Sequence, residues 1–168
     1  MMSFQAYFLK LAEYNQWANQ QLYAVLNSLD DSQLHQLQPN FFDSIIKTAN
    51  HIWVGDTLWL GRIDGNQPAK YQLDSVVFQD IKSLTTARVQ LDQEIIEYIH
   101  NLTEQDILGK VSYSRLGELL QENLYDVLAH IFNHQTHHRG QLHSMVFAMT
   151  GQSLALDMIY FQRTNSVN

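Results

Sequence analysis

Five of the eight histidines fall between residues 130 and 143, as His130, His134, His137, His138 and His143. His134 and His138 stand four residues apart. On a helix that spacing separates them by about 6 Å along the axis and about 40° around it. Two imidazoles so placed reach one cation, which is the helical His-x-x-x-His arrangement of zinc proteins. With His134 as origin, His130 and His138 lie about 40° to either side, and Val127, Gln141 and Met145 lie within about 20°. The face is shared with apolar residues and is expected to point inward. Buried imidazoles need partners for their nitrogens, and a metal ion supplies one; ordinary polar-core hydrogen bonds are the competing explanation. His137 is about 60° from His134 and reads as a flanking residue. His143 lies well off the face and reads as surface, while His35 and His100 carry no assigned function.

A three-ligand site needs a donor from another helix. His51 is the best candidate, with Gly55 one turn along to leave room; spacing alone does not separate this from a core hydrogen-bonding role. The HExxH protease motif is not met, because residue 135 is glutamine. Nor is the paired Glu-x-x-His set of di-iron bundles present. A mononuclear site with three histidines and open positions is consistent, and such sites are more often catalytic than structural. The ion would acidify a water or polarise a substrate. Imidazole suits nickel, zinc, iron and manganese alike. Asp56 is the nearest acidic residue to His51 in sequence, placed to support a ligand or accept a proton, but a solvated charge or a hydrogen-bond partner within the bundle is its simpler role. Asn15, Trp17 and Asn19 read as structural too, with the two asparagines one turn apart on a polar face.

These residues need rods to hold them. Phe4, Phe8, Leu11, Leu22, Val25 and Leu26 recur at helical spacing and predict a first helix over 3–28. A polar connector follows, with room for one short turn. Asp43 or Ser44 caps a second helix carrying Ile45, Ile46, Ala49, Ile52, Leu58, Trp59 and Ile63. Asp64-Gly65-Asn66-Gln67-Pro68 stops it, and 67–77 reads as irregular. The third helix covers about 78–101. Residues 109–121 mix β-formers with two glycines and suggest a short hairpin. The fourth helix spans about 122–149 and ends at Gly151, and 157–163 forms a last short helix. The expected architecture is all-α: an up-and-down four-helix bundle with a short β-hairpin before the fourth helix and a short C-terminal helix. The length of 168 residues fits a single domain over 1–168.

Composition narrows the function. There are no cysteines, which excludes disulfides, iron–sulfur clusters, thiolate zinc sites and a cysteine nucleophile. Net charge is −7, so nucleic-acid binding has no electrostatic support. No apolar run approaches the ~20 residues of a membrane span, and the N-terminus lacks a signal-peptide pattern. The expectation is a soluble, cytoplasmic protein.

Four stretches carry a resemblance. They are Tyr14-Asn15-Gln16-Trp17-Ala18-Asn19; Asn50-His51 with Asp56, Trp59, Arg62 and Gly65; Asn133-His134-Gln135-Thr136-His137-His138-Arg139-Gly140-Gln141; and Leu156-Asp157. Together they resemble the DinB-like (DinB/YfiT-like) metalloenzyme family over nearly the whole chain. The resemblance implies a four-helix bundle, commonly a homodimer, holding one divalent ion on three histidines. Carried over, these are His51, His134 and His138. It also implies kinship with bacillithiol- and mycothiol-dependent enzymes, in which the metal lowers the thiol pKa of a small cofactor. The expected function is a metal-dependent enzyme that activates a low-molecular-weight thiol or water, of the S-transferase or hydrolase type, on a small-molecule substrate. The alternative is a non-catalytic metal- or small-molecule-binding stress protein.

Overall fold

The computed structural model describes residues 3–65, 71–115 and 117–164. Helix α1 (Phe4–Leu26) starts where the Ser3 side chain accepts from the Ala6 amide. A single turn, α2 (Asp31–His35), sits in the polar connector behind a reciprocal Asp30–Gln33 capping box. Helix α3 (Ile45–Ile63) is capped by Ser44, which accepts from the Lys47 amide. Asp43 makes the preceding turn instead, at φ 51°, a region that Asp tolerates better than most residues. Helix α4 (Ile81–His100) starts at Asp80, which accepts from the Ser83 amide at 2.8 Å. Strands β1 (Lys110–Arg115) and β2 (Glu118–Asn123) form the antiparallel hairpin, and α6 (Leu124–Thr150) ends at Gly151 with φ 70°. The C-terminal helix is α7 (Met158–Thr164). Residues 71–77 are irregular, as expected, and the irregular stretch runs on to the Asp80 cap, so α4 begins about three residues after the expected start; 66–70, including Pro68, lie outside the described residues.

One element was not foreseen. Helix α5 (Glu104–Ile107) is four residues long, too short to show a period, and is held by a Thr103–Asp106 capping box. It has a use: the Glu104 carboxylate accepts from the Phe4 and Gln5 amides at 3.0 and 2.8 Å, closing the free end of α1.

The four long helices make the bundle. α1 packs on α4 and α6, and α3 packs on α4 and α6. Cross-helix bonds show the directions. Asn19 meets Asp92 and Asn27 meets Thr85, so α1 and α4 are antiparallel. His51 meets His138 while Trp59 meets His130, so α3 and α6 are antiparallel. Trp53 meets Ala87 and Ile63 meets Tyr98, so α3 and α4 run parallel. Within the bundle the order is therefore up, down, down, up: just before α4 the chain stands again beside α3, where Tyr71 meets Trp53, Leu73 meets His51 and Phe78 meets Asn50. No described helix is long and apolar enough to cross a membrane.

The core divides in two. One apolar cluster holds Leu22, Leu26, Ile45, Ile52, Leu84 and Leu142; the other holds Phe8, Leu91, Ile99, Leu128, Ile131 and Phe132. Between them, at mid-height, lies a belt of buried polar side chains: Asn15, Asn19, Asp56, Arg88, Asp92, Gln135 and Arg139. Leu142 is fully enclosed on the first side. Leu142→Ala is expected to cost about 2–5 kcal/mol in urea unfolding, through lost transfer energy plus an unfilled cavity.

Candidate metal centre

α3 and α6 cross so that three imidazoles share one point at the level of the polar belt. Nε2 of His51 lies 3.0 Å from Nε2 of His134 and 3.1 Å from Nε2 of His138. All three ligand atoms lie within 4.8 Å of one another, a grouping that could hold a metal ion. His51 and His138 are buried and His134 is partly buried.

The outer nitrogens show whether these residues fit a cation. Nδ1 of His51 is 2.8 Å from the Leu73 carbonyl oxygen, which only accepts. That nitrogen therefore carries the proton, and Nε2 presents a lone pair. Nδ1 of His138 is 2.7 Å from Oε1 of Gln141, so the same holds there. Two lone pairs thus face each other across 3.1 Å. A positive charge between them turns repulsion into attraction. For bonds of ~2.0–2.1 Å, nitrogens at right angles about an ion lie about 3.0 Å apart and tetrahedral ones about 3.3 Å. The observed spacings match, and the donor set fits a divalent ion. The groups on Nδ1 are the kind that fix the orientation of ligating imidazoles.

Packing sets the remaining angles. Phe42 stacks on the His51 ring with centroids 4.0 Å apart, brought there by the Asp43 turn. The His134 ring has no hydrogen bond on its buried Nδ1; it is placed by space. A Cβ on Gly55 would stand 2.9 Å from Cε1 of His134, so the glycine makes room for the ring of one of the three histidines. Burial, and then the neighbouring imidazoles, pushes His134 down to about 3. Burial likewise pushes His138 down to about 4, against the Gln141 hydrogen bond, and lowers His51. All three rings are neutral at pH 7, the form that binds metals.

Beside them runs the belt, which sequence reasoning largely missed. Asp56 does not face the imidazoles: its Oδ2 pairs with Arg88 at 2.6 Å and accepts from Gln135. Arg88 also pairs with Asp92 at 2.9 Å, which in turn accepts from Asn19. Burial pushes Asp56 up to about 6, with the Arg88 charge holding it from rising further. Arg139 donates to Asn15 Oδ1 at 2.7 Å. Asn15 and Asn19 are thus belt residues, while Trp17 packs against Tyr14 and Phe161 of α7. A signal existed for Arg88, which sits on the otherwise apolar stripe of Leu84, Leu91 and Ile95.

Two histidines are not where their helical angle put them. His130 is exposed instead of inward; its ring stands at the margin of the α3–α6 contact, 5.0 Å from the ring of Trp59 on α3. His143 is half-buried instead of surface, and its Nε2 accepts from the Leu154 amide at 3.1 Å, anchoring the chain after α6. His137 is exposed, as a flanking residue should be, with its ring 4.7 Å from that of His138. Beyond His130 a cleft of about 610 Å³ opens between α3, α6 and the hairpin.

Known proteins share this arrangement of chain. The model of the DinB family matches residues 2–165. Protein DinB of Bacillus subtilis (strain 168) is 29% identical over 148 residues, which cover 82% of this chain and 83% of that protein. The crystal structure of a DinB-like protein from Bacillus cereus ATCC 10987 superimposes with a TM-score of 0.65 at 20% identity, covering 86% of this chain and 91% of that one; at this identity the likeness is one of fold. A match from end to end, on a bundle with these elements in this order, means that the chain belongs to the DinB family.

Proposed function

We propose that this protein binds one divalent ion (nickel, zinc, iron or manganese) through His51, His134 and His138, and that it is an enzyme acting on a small molecule. The observation that carries this is the pair of opposed Nε2 lone pairs on His51 and His138, each fixed by an acceptor on the far side of its ring. The ion supplies a Lewis acid, which lowers the pKa of a thiol or a water. The chain's own residues do the positioning. Leu73 and Gln141 hold two rings in one tautomer, Phe42 covers His51, and Gly55 admits His134. A low-molecular-weight thiol is the preferred co-substrate, and a homodimer the preferred assembly, because the resemblance implies both.

A second reading, a metal-holding stress protein without turnover, draws on Gln135. It occupies the place of the metalloprotease base but is turned into the belt, onto Asp56. Elemental analysis and divalent-ion titration test the first step, with one ion per chain expected. Failure to bind any divalent ion would overturn both readings. Assays pairing thiols with electrophiles, and assays of ester hydrolysis, then separate them.

Gly55→Ala probes the geometry without touching a ligand. The new methyl displaces the His134 ring, so ion affinity is expected to fall about 10-fold or more while helix content is unchanged by circular dichroism.

A further inference from the structure

Asn50 stands beside His51 in the sequence and is fully buried, and its hydrogen bonds leave the imidazoles alone. A side-chain amide has two donors and two lone pairs, and here all four are used. Nδ2 donates to the Ile46 carbonyl oxygen on its own helix and to the Phe78 carbonyl oxygen, each at 2.9 Å. Oδ1 accepts from the Val77 and Phe78 amides, again at 2.9 Å. Three of the four bonds therefore grip one short stretch of backbone just ahead of α4. That stretch, residues 71–78, forms no helix or strand. Its own turn is small: the Ser75 amide donates to the Gln72 carbonyl oxygen, and the Gln72 amide to Ser75 Oγ, both at 3.0 Å. The rest of its hold is on α3. Trp53 packs on Tyr71 and Phe78, with ring centroids 5.8 and 4.9 Å apart, and the Leu73 carbonyl oxygen meets Nδ1 of His51 at 2.8 Å. Adjacent helix residues point about 100° apart, so Asn50 and His51 hold this strap at two separate points. Only Asp74, Ser75 and Val76 lie between Leu73 and Val77, so the place of one point limits the place of the other.

Resting on the metal-site reading above, we propose that Asn50 is a positioning residue for the ion: it clamps the strap so that the Leu73 carbonyl stays on Nδ1 of His51, and strap and ion tighten each other. A neutral imidazole carries its proton on either nitrogen. Leu73 keeps that proton on Nδ1, which leaves Nε2 free to ligate. With the carbonyl gone, the proton is free to sit on Nε2, where it blocks ligation. The effect also runs the other way. A ligated ring gives up electron density, and its remaining N–H becomes a stronger donor toward the carbonyl. Strap and ion thus act on opposite ends of one ring, and each favours the other by the same factor.

Zinc is the probe. Saturating the wild type with zinc is expected to slow hydrogen exchange of the Val77 and Phe78 amides about 10-fold, the lower end of what an outer partner of a ligating imidazole contributes. Asn50→Ala is expected to weaken zinc by a similar factor in chelator competition, because the coupling is reciprocal. Ile99→Ala opens the apolar cluster at the far end of α4. It is expected to lose stability and keep its zinc affinity, which separates positioning from general loosening. In ion-free protein, the ring nitrogen resonances of His51 are expected to place the proton on Nδ1 in the wild type and to show a mixture of tautomers in Asn50→Ala. Strap amides that exchange at one rate with and without zinc, full zinc affinity in Asn50→Ala, or an equal loss in Ile99→Ala would each overturn the proposal, and the first of these needs no variant to fold. If the wild type bound no divalent ion, the metal-site reading would fall and the coupling with it. A proton kept wholly on Nδ1 in ion-free Asn50→Ala would overturn the positioning role by itself.

Discussion

His138→Ala is expected to abolish stoichiometric divalent-ion binding, with a fall in affinity well beyond 100-fold. Removing an outer hydrogen-bond partner of a ligating imidazole costs about 10–100-fold, and removing the imidazole itself costs more. Gln141→Ala sets the scale, because it deletes only the acceptor on Nδ1 of His138. It is expected to fall in that range. Competition against a chromophoric chelator gives both numbers. Stability separates this from a plain polar core. An ion at 100 times its dissociation constant stabilises the folded chain by about 2.7 kcal/mol, and that increment should vanish in His138→Ala. Without ion the variant loses some packing, but it also relieves one of two facing lone pairs. If His138→Ala kept its ion and lost only stability, the imidazoles would be core residues and nothing more.

Arg88→Met should produce the largest loss of stability of any single change outside the apolar clusters. Arg88 is 1% exposed and lies between Asp56 and Asp92, both nearly fully enclosed. Its removal leaves two buried carboxylates without the cation that pairs with both, a situation that costs about 3–5 kcal/mol. The deficit should depend on pH, with a definite sign. Burial already places Asp56 at about 6, above its unfolded value near 3.9. Loss of Arg88 raises it further. An acid whose folded pKa is raised binds its proton more tightly in the folded state. The penalty is therefore full above the folded value and is relieved as pH falls from there toward about 4. Urea unfolding at pH 7.5 and 5.5 should show the variant recovering part of its deficit at the lower pH. Asp56→Asn in the same background should recover part of it at both. A deficit independent of pH would mean that the lost packing of Arg88, and not the stranded charge, is the cause.

Much of this arrangement was legible because helices announce themselves locally. Ser44, Gly65 and Gly151 mark helix ends by side-chain chemistry or backbone freedom, and apolar spacing gives the azimuth of each rod. The His134–His138 pair was legible for the same reason, since one helical turn is a local fact. His51 was not, because nothing local says which residue of α3 will stand opposite α6; the family resemblance pointed to it. His130 shows the limit from the other side. Its angle on α6 is close to that of His134, but an angle does not say how fully the side chains of a neighbouring rod will cover it: the ring meets Trp59 and still stays exposed. The belt was hidden because Asp56, Asp92 and Gln135 each look like ordinary polar residues until α3, α4 and α6 bring them together; Arg88, on the apolar stripe of α4, was the one sign of it. Helix α5 was hidden because four residues have no period to detect.

The two stretches of chain whose imidazoles meet here are far apart in time as well as in sequence. His51 leaves the ribosome 83 residues ahead of His134 and 87 ahead of His138. A pair of fingers on one short loop can seize zinc early and let the ion direct folding. Here α6 must first cross the finished rod that carries His51, a distant contact and hence a late one. On the proposed reading an ion can only arrive as the last piece, so a nascent or cleaved chain that lacks α6 offers it one of the three imidazoles and no grip.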